Sequence, residues 1–114
     1  MFGSEEYPEY VGSQFNDVMA VFGGDGQNCA VVPNMTTLVS IDSINDQSNS
    51  QYYVDNSSGA SGYNTTMDGL TVPLECRVAV TPGEQVTIRI AVADASDSIY
   101  DSAVALIDGG IYSE

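Results

Sequence analysis

Apolar and polar residues alternate along this chain in short segments, and the spacing of an amphipathic helix is weak throughout. The clearest alternation is "QVTIRIAVAD" (85–94), where Val86, Ile88, Ile90 and Val92 share one side of a predicted strand. Segments of the same kind predict strands over 15–23, 28–33, 36–44, 51–55, 70–80 and 102–110. This series predicts one all-β domain over 1–114, an antiparallel, jelly-roll-like β-sandwich.

The segments between these strands are rich in turn-forming residues. "GGDGQ" (23–27) and "TPGE" (81–84) are short turns. The longest connection, "NSSGASGYNTTMDG" (56–69), is predicted to be a functional or mobile surface loop because it is too long for a tight connection. Pro73 marks an edge or a bulge in the strand that contains it, since proline cannot donate to a ladder.

The strongly negative charge of the chain limits which kinds of molecule it can bind. The chain has 16 acidic residues against two arginines, with no lysine or histidine, and its net charge is −14. Such a surface repels nucleic acid and anionic membranes, and the absent residue types exclude lysine nucleophiles, histidine bases and histidine metal ligands. No apolar run reaches the roughly 20 residues that a membrane helix needs, so no membrane insertion is expected. Hard cations with oxygen ligands, chiefly Ca²⁺, suit this inventory.

The acids concentrate in two segments. "SEEYPEYVGSQFND" (4–17) contains three glutamates and an Asn-Asp pair, and "ADASDSIYDSA" (93–103) contains three aspartates. Carboxylates this close raise each other's pKa unless a cation lies among them. The second segment lacks the central glycine and closing glutamate of an EF-hand. The candidate Ca²⁺ ligands are Glu5, Glu6, Asp17, Asp94, Asp97 and Asp101. Solvated loop acids in a salt-adapted protein are the alternative.

A third interpretation of the acids is a glycan hydrolase that uses paired carboxylates, with Glu5, Glu6 and Asp94 as its candidates. The chain offers no tryptophan as a sugar platform and no histidine, and it is short for a cleft enzyme. We therefore predict that the protein is not an enzyme.

Cys29 and Cys76 lie in two predicted strands, where they could form a disulfide or remain buried free thiols.

Four stretches, taken in order, resemble one bacterial family, the choice-of-anchor L domain. They are "FGSEEYPEYVGSQFNDVMAVF" (2–22), "QNCAVVP" (27–33), "VSIDSIN" followed by "SNSQYYVDN" (39–56), and "MDGLTVPLECRVAVTPGEQVTIRIAVADASDSIYDSAVAL" (67–106). The resemblance implies a β-sandwich module of a larger secreted or surface-attached bacterial protein, with neighbouring domains in a longer chain. The chain also resembles, more loosely, the peptide-binding domains of calcium-dependent bacterial adhesins.

The chain departs from the family pattern in two respects. The family has further strands before the SEEY block, so we expect a domain that lacks its N-terminal strands. Cysteines replace the usual aliphatic residue or threonine at Cys29 and Cys76, and this paired replacement favours a disulfide and an extracellular location.

The sequence thus predicts a Ca²⁺-binding extracellular module that contacts a peptide or glycan through Tyr7, Tyr10 and Tyr63. A structural spacer without a ligand of its own is the alternative.

Overall fold

The computed structural model of the protein describes residues 1–96 and 98–114. Within these residues six short strands follow one another: β1 (Phe2–Ser4), β2 (Val18–Phe22), β3 (Tyr53–Asp55), β4 (Gly69–Thr71), β5 (Arg89–Ala93) and β6 (Ser102–Val104). A 3-10 turn, Ser50–Tyr52, precedes β3. The predicted all-β sandwich class is confirmed. No helix in the described part of the chain has the length and apolar character needed to cross a membrane.

The strands form two antiparallel sheets. The larger has the order β3-β4-β1-β6, and the smaller pairs β2 with β5. In the larger sheet Gly3 lies opposite both Leu70 and Ala103, which makes β1 a central strand. The pairing of β1 with β6 joins the two ends of the chain, and it also brings the residues that follow β1 next to those that precede β6.

The core is built around Tyr7, which is fully buried together with Phe2, Val39 and Ile41. The Tyr7 ring lies directly over Gly69, where a Cβ atom would come within 2.5 Å of the ring. Its hydroxyl donates to the carbonyl oxygen of Ile44 at 2.6 Å. Burial therefore fixes this tyrosine as a structural residue at the base of the acidic segment.

Several predicted strands are shorter than expected or reduced to single bridges. The segments 28–33 and 36–44 contribute isolated bridges such as Val31↔Leu38 and Val18↔Ser40. One cause is the Asn28 side chain, whose Oδ1 accepts from the amides of Val21 and Ala30 and so takes donors from a regular ladder. The predicted strand 70–80 ends at Thr71, two residues before Pro73.

The disulfide is present. Cys29 and Cys76 are bonded, with their Cα atoms 5.3 Å apart. The bridge holds the segment after β4 against the turn after β2, where Val78 packs over Gly23. The pairing favoured from the sequence is confirmed.

Candidate metal centre

The residues after β1 fold back in consecutive turns. The amide of Glu6 donates to Ser4 Oγ at 2.9 Å, and the amide of Tyr10 donates to the Glu6 carbonyl oxygen at 3.1 Å. These bonds hold the Glu6 side chain at the end of β1, where it is fully buried. A carboxylate is costly to bury in its charged form, so this position requires compensation from its surroundings.

Asp17 lies immediately before β2 and is also fully buried. Its Oδ1 accepts from the amide of Ala95 at 3.0 Å. Its Oδ2 accepts from Ser4 Oγ at 3.2 Å and from Ser102 Oγ. Asp17 thus connects β1, the start of β6 and the loop after β5 through its own carboxylate.

Asp94, the residue after β5, completes a group of three carboxylates. Glu6, Asp17 and Asp94 each offer one oxygen, and these oxygens lie within 4.8 Å of one another. Asp94 is exposed while the other two are buried, so the group opens to solvent on one side. Carboxylate oxygens at this spacing are ligands of the kind that Ca²⁺ takes in proteins.

The positive groups of the chain lie elsewhere. Arg77 pairs with Glu75 at 2.8 Å, and the guanidinium of Arg89 lies 5.1 Å from the centre of the Phe22 ring. The N-terminal ammonium group of Met1 donates to the carbonyl oxygen of Ala105. Among the described residues, the cationic groups of Arg77, Arg89 and Met1 thus each have a contact outside the three-carboxylate group.

The other predicted ligands have different positions. Glu5 and Asp101 bond to each other, with the Glu5 amide donating to the Asp101 carbonyl oxygen at 2.9 Å and the Asp101 amide donating to Glu5 Oε2 at 3.0 Å. These two residues extend the β1–β6 pairing and are not part of the three-carboxylate group. Asp97 lies outside the described residues. The structure thus brings together Glu6, Asp17 and Asp94 from the predicted set.

Two serines that orient Asp17 were not predicted as site residues. Ser4 and Ser102 both donate side-chain hydrogen bonds to its Oδ2. The sequence feature that could have identified them is their place beside an acidic residue at a strand end: Ser4 precedes Glu5, and Ser102 follows Asp101. Serine is too common in this chain for that signal to single them out.

The three predicted ligand-binding tyrosines are in different environments. Tyr7 is fully buried, so its prediction as a surface contact is corrected: its ring and hydroxyl are both used in the core. Tyr10 is half-buried, with its ring centre 5.3 Å from that of Phe15 and 5.6 Å from that of Tyr100. A hydrogen bond with Tyr100 raises the pKa of Tyr10. Tyr10 therefore links the first acidic segment to the second.

Tyr63 is exposed on the long loop between β3 and β4. It borders a small apolar cavity of about 170 Å³ whose floor includes Gly3 and Ala103 of the larger sheet. The Tyr63 amide donates to Ser61 Oγ at 3.2 Å, which shapes the loop locally. Of the three predicted tyrosines, this one has the greatest exposed fraction, 43%.

The antiparallel sheets and the disulfide define an all-β module of a type consistent with an extracellular location. The chain matches the family model described as "Choice-of-anchor L domain" over residues 1–111, and it belongs to that family. Domains of this family are non-catalytic modules of bacterial surface or secreted proteins. Comparison with curated proteins and with solved structures finds no match.

Proposed function

We propose that this module binds Ca²⁺ through Glu6, Asp17 and Asp94, and that the bound ion stabilises the loops that contact a ligand. The observation that carries the proposal is the group of three carboxylate oxygens within 4.8 Å, two of them from fully buried side chains. A divalent cation offsets both their mutual repulsion and the cost of burying them. Both arginines of the chain are engaged elsewhere.

Calcium suits this group better than magnesium, zinc or copper. All the candidate ligand atoms are carboxylate oxygens, whereas zinc and copper prefer nitrogen and sulfur ligands. The ligands come from three separate segments of the chain, and calcium accepts the irregular geometry that results, whereas magnesium demands a near-ideal octahedron. Water and backbone carbonyl oxygens would complete the coordination shell.

The bound ion would join parts of the chain that are distant in sequence. Glu6 belongs to the turns after β1, and Asp94 begins the loop that leads to β6. Tyr10 lies on the first of these segments and contacts Tyr100 on the second. An ion between the segments would fix the relative positions of the two tyrosines, which supports a role in holding a ligand.

The ligand class that fits is a peptide or a glycan, contacted by Tyr10 and by the exposed Tyr63. Aromatic rings with a polar tip serve both kinds of ligand. The same carboxylates do not favour hydrolysis, because the two carboxyl groups of a retaining glycosidase lie about 5–5.5 Å apart on either side of the scissile bond, where the sugar must reach them. Here two of the three are fully buried.

Calorimetric titration with Ca²⁺, combined with thermal unfolding, tests the metal site. We expect a Kd of about 10⁻⁴–10⁻³ M, the range of extracellular calcium modules. At 100 times Kd the ion contributes about 2.7 kcal/mol, so the unfolding midpoint rises by several degrees. Asp94→Asn should abolish both effects, whereas Asp108→Asn, which removes an exposed acid near the C-terminus, should abolish neither.

The outcomes separate the hypotheses. No heat and no shift for the unaltered protein would refute the metal site. A Ca²⁺ shift without any signal on peptide and glycan arrays would favour the structural spacer. If Tyr10→Ala and Tyr63→Ala leave a detected ligand signal unchanged, the ligand is contacted elsewhere on the domain.

A further inference from the structure

An open cavity of about 620 Å³ lies at the end of the smaller sheet that is remote from the candidate metal centre. Phe22 and Arg89, the last residue pair of that sheet, form one wall, and the glycine-rich turn after β2 forms another. The opposite end of the two strands, next to Asp17 and Asp94, is about 14 Å away at 3.4 Å per residue. Ligand sites typically have volumes of about 300–1,000 Å³, so the cavity is large enough for a second site.

Arg89 brings a positive charge into this cavity. The chain has 16 acidic residues, yet none of the acids that the structure describes lies within ion-pair distance of Arg89, whereas Arg77 pairs with Glu75. The Arg89 guanidinium lies over the Phe22 ring, 5.1 Å from its centre. Stacking on the ring orients the planar guanidinium and leaves the N–H donors along its edge available. The group that matches this fork of donors is a carboxylate.

The guanidinium lies on the outer side of the smaller sheet. Side chains alternate along β5, so Arg89 projects from the side opposite to Ile90. Val21, the partner of Ile90, packs against the buried cluster, which makes the Ile90 side the inner one. A further strand that completed the sandwich would pack on that inner side. The cavity is also lined by polar residues such as Thr81 and Gln85, so it differs from an uncovered part of the core.

The wall of the cavity also offers backbone groups that are free to pair. Residues 79–80 and 85–87 line the cavity and lie outside all strand ladders. Within the described part of the chain, their amides and carbonyl oxygens make no backbone hydrogen bond. Free backbone groups beside a strand end are a template on which an extended peptide can add its own backbone. This wall favours a peptide over a small acid, which has no backbone to pair with it.

We propose that the cavity binds an extended peptide segment that brings a carboxylate to Arg89. The carboxylate, from a C-terminus or from an acidic side chain, would accept hydrogen bonds from the guanidinium. The peptide backbone would pair with residues 85–87, and a neighbouring apolar side chain would pack on the exposed Val80. The proposal depends neither on the calcium site nor on Tyr10 and Tyr63.

Calorimetric titrations in EDTA test the proposal with matched probes. The peptides are Ac-Val-Gln-Val with a free C-terminus, the same peptide amidated, and amidated Ac-Val-Glu-Val, and acetate is the fourth probe. We expect saturable binding of the peptides that carry a carboxylate, and binding at least tenfold weaker for the uncharged one. The two charged peptides distinguish a terminal from a side-chain carboxylate.

Two variants test the role of Arg89. Arg89→Gln should weaken binding of the charged peptides at least tenfold, because it removes the charged donors. Arg77→Gln makes the same charge change at an exposed site outside the cavity and should leave binding unchanged. In NMR spectra of the parent, the amide signals of 85–87 should shift on titration, and those of Tyr10 and Tyr63 should not.

Several results would overturn the proposal. These are no binding of either charged peptide, equally tight binding of the uncharged peptide, or equal loss of binding in Arg77→Gln. Acetate that binds as tightly as the peptides would show that only charge is recognised, and it would refute the peptide assignment. Circular dichroism checks that the variants fold. If Arg89→Gln does not, the parent decides through the three peptides and the NMR shifts, and shifts confined to residues outside the cavity would refute the site.

Discussion

Asp17 accepts a hydrogen bond from the backbone amide of Ala95, 78 positions further along the chain, with the amide nitrogen 3.0 Å from Oδ1. This bond joins the acidic segment after β1 to the acidic loop after β5. Two acidic segments that are distant in sequence are therefore in contact in the fold, and Asp17 makes that contact.

Removing the Asp17 carboxylate should strongly destabilise the fold. Asp17→Ala leaves the Ala95 amide and the Ser4 and Ser102 hydroxyls without their acceptor, and we expect a loss of about 3–5 kcal/mol in the free energy of unfolding. Urea denaturation in EDTA measures it. Asp25→Ala, at an exposed turn, is the control and should change stability by less than about 0.5 kcal/mol. A loss below about 1 kcal/mol for Asp17→Ala would show that these bonds contribute little.

Tyr7 and Tyr53 should respond in opposite ways to loss of the hydroxyl. The buried Tyr53 hydroxyl has no hydrogen-bond partner among the described residues, so Tyr53→Phe should be neutral or stabilising by up to about 1 kcal/mol. Tyr7→Phe loses the bond to the Ile44 carbonyl oxygen and should destabilise by about 1–2 kcal/mol. Urea denaturation of both variants makes the comparison, and equal effects would contradict it.

Stability should fall in alkaline solution before the folded tyrosines ionise. Burial, reinforced by Asp55, raises the pKa of Tyr53 to about 12, and burial also raises the pKa of Tyr7. In the unfolded chain both ionise near pH 10. The unfolded state therefore loses protons first, so this contribution is complete below about pH 10 and is lost as pH rises towards 12.

Urea denaturation at intervals from pH 8 to 11.5 follows this loss. Tyr53→Phe should show a shallower decline than the parent, because one of the two shifted groups is gone. Tyr112→Phe, at an exposed position near the C-terminus, serves as the control and should decline like the parent. Identical curves for all three proteins would contradict the assignment to Tyr53.

The Cys29–Cys76 bridge should contribute substantially to stability. It closes a 47-residue separation, and the chain-entropy model gives about 4 kcal/mol for a loop of that size. Cys29→Ala with Cys76→Ala should lower the free energy of unfolding by about that amount. Reductant should lower the parent to the same level and leave the double variant unchanged, and a reductant effect on the double variant would show that another process is being measured.

The sequence predicted the class of the fold because alternation is a local property. The pattern at 85–94 specifies a strand, and β5 (Arg89–Ala93) lies inside it. The predicted strands are too long where backbone donors are lost to the ladder. The Asn28 side chain accepts from the Val21 amide, and Pro73 has no amide hydrogen to donate. Alternation also cannot say which side of a strand will be covered, and the side of β5 that carries Ile88 and Val92 faces solvent.

The candidate site shows the same division. The many acidic residues and the absence of lysine and histidine indicate a bound cation, and the two acidic segments supply six candidate carboxylates. Only the pairing of β1 with β6, and of β2 with β5, selects Glu6, Asp17 and Asp94 as neighbours, while the same pairing directs Glu5 and Asp101 towards each other. Which acids share a site depends on strand register, and register is set by contacts between residues far apart in the chain.

By itself, then, the sequence determined an acidic, disulfide-capable β module, since charge, cysteine content and alternation are all properties of residues and their near neighbours. The tertiary structure decided that Tyr7 belongs to the core over Gly69, that three carboxylates from three separate segments converge, and that β5 has an uncovered face. Each of these depends on which distant segments meet, and it is the packing of the two sheets that brings them together.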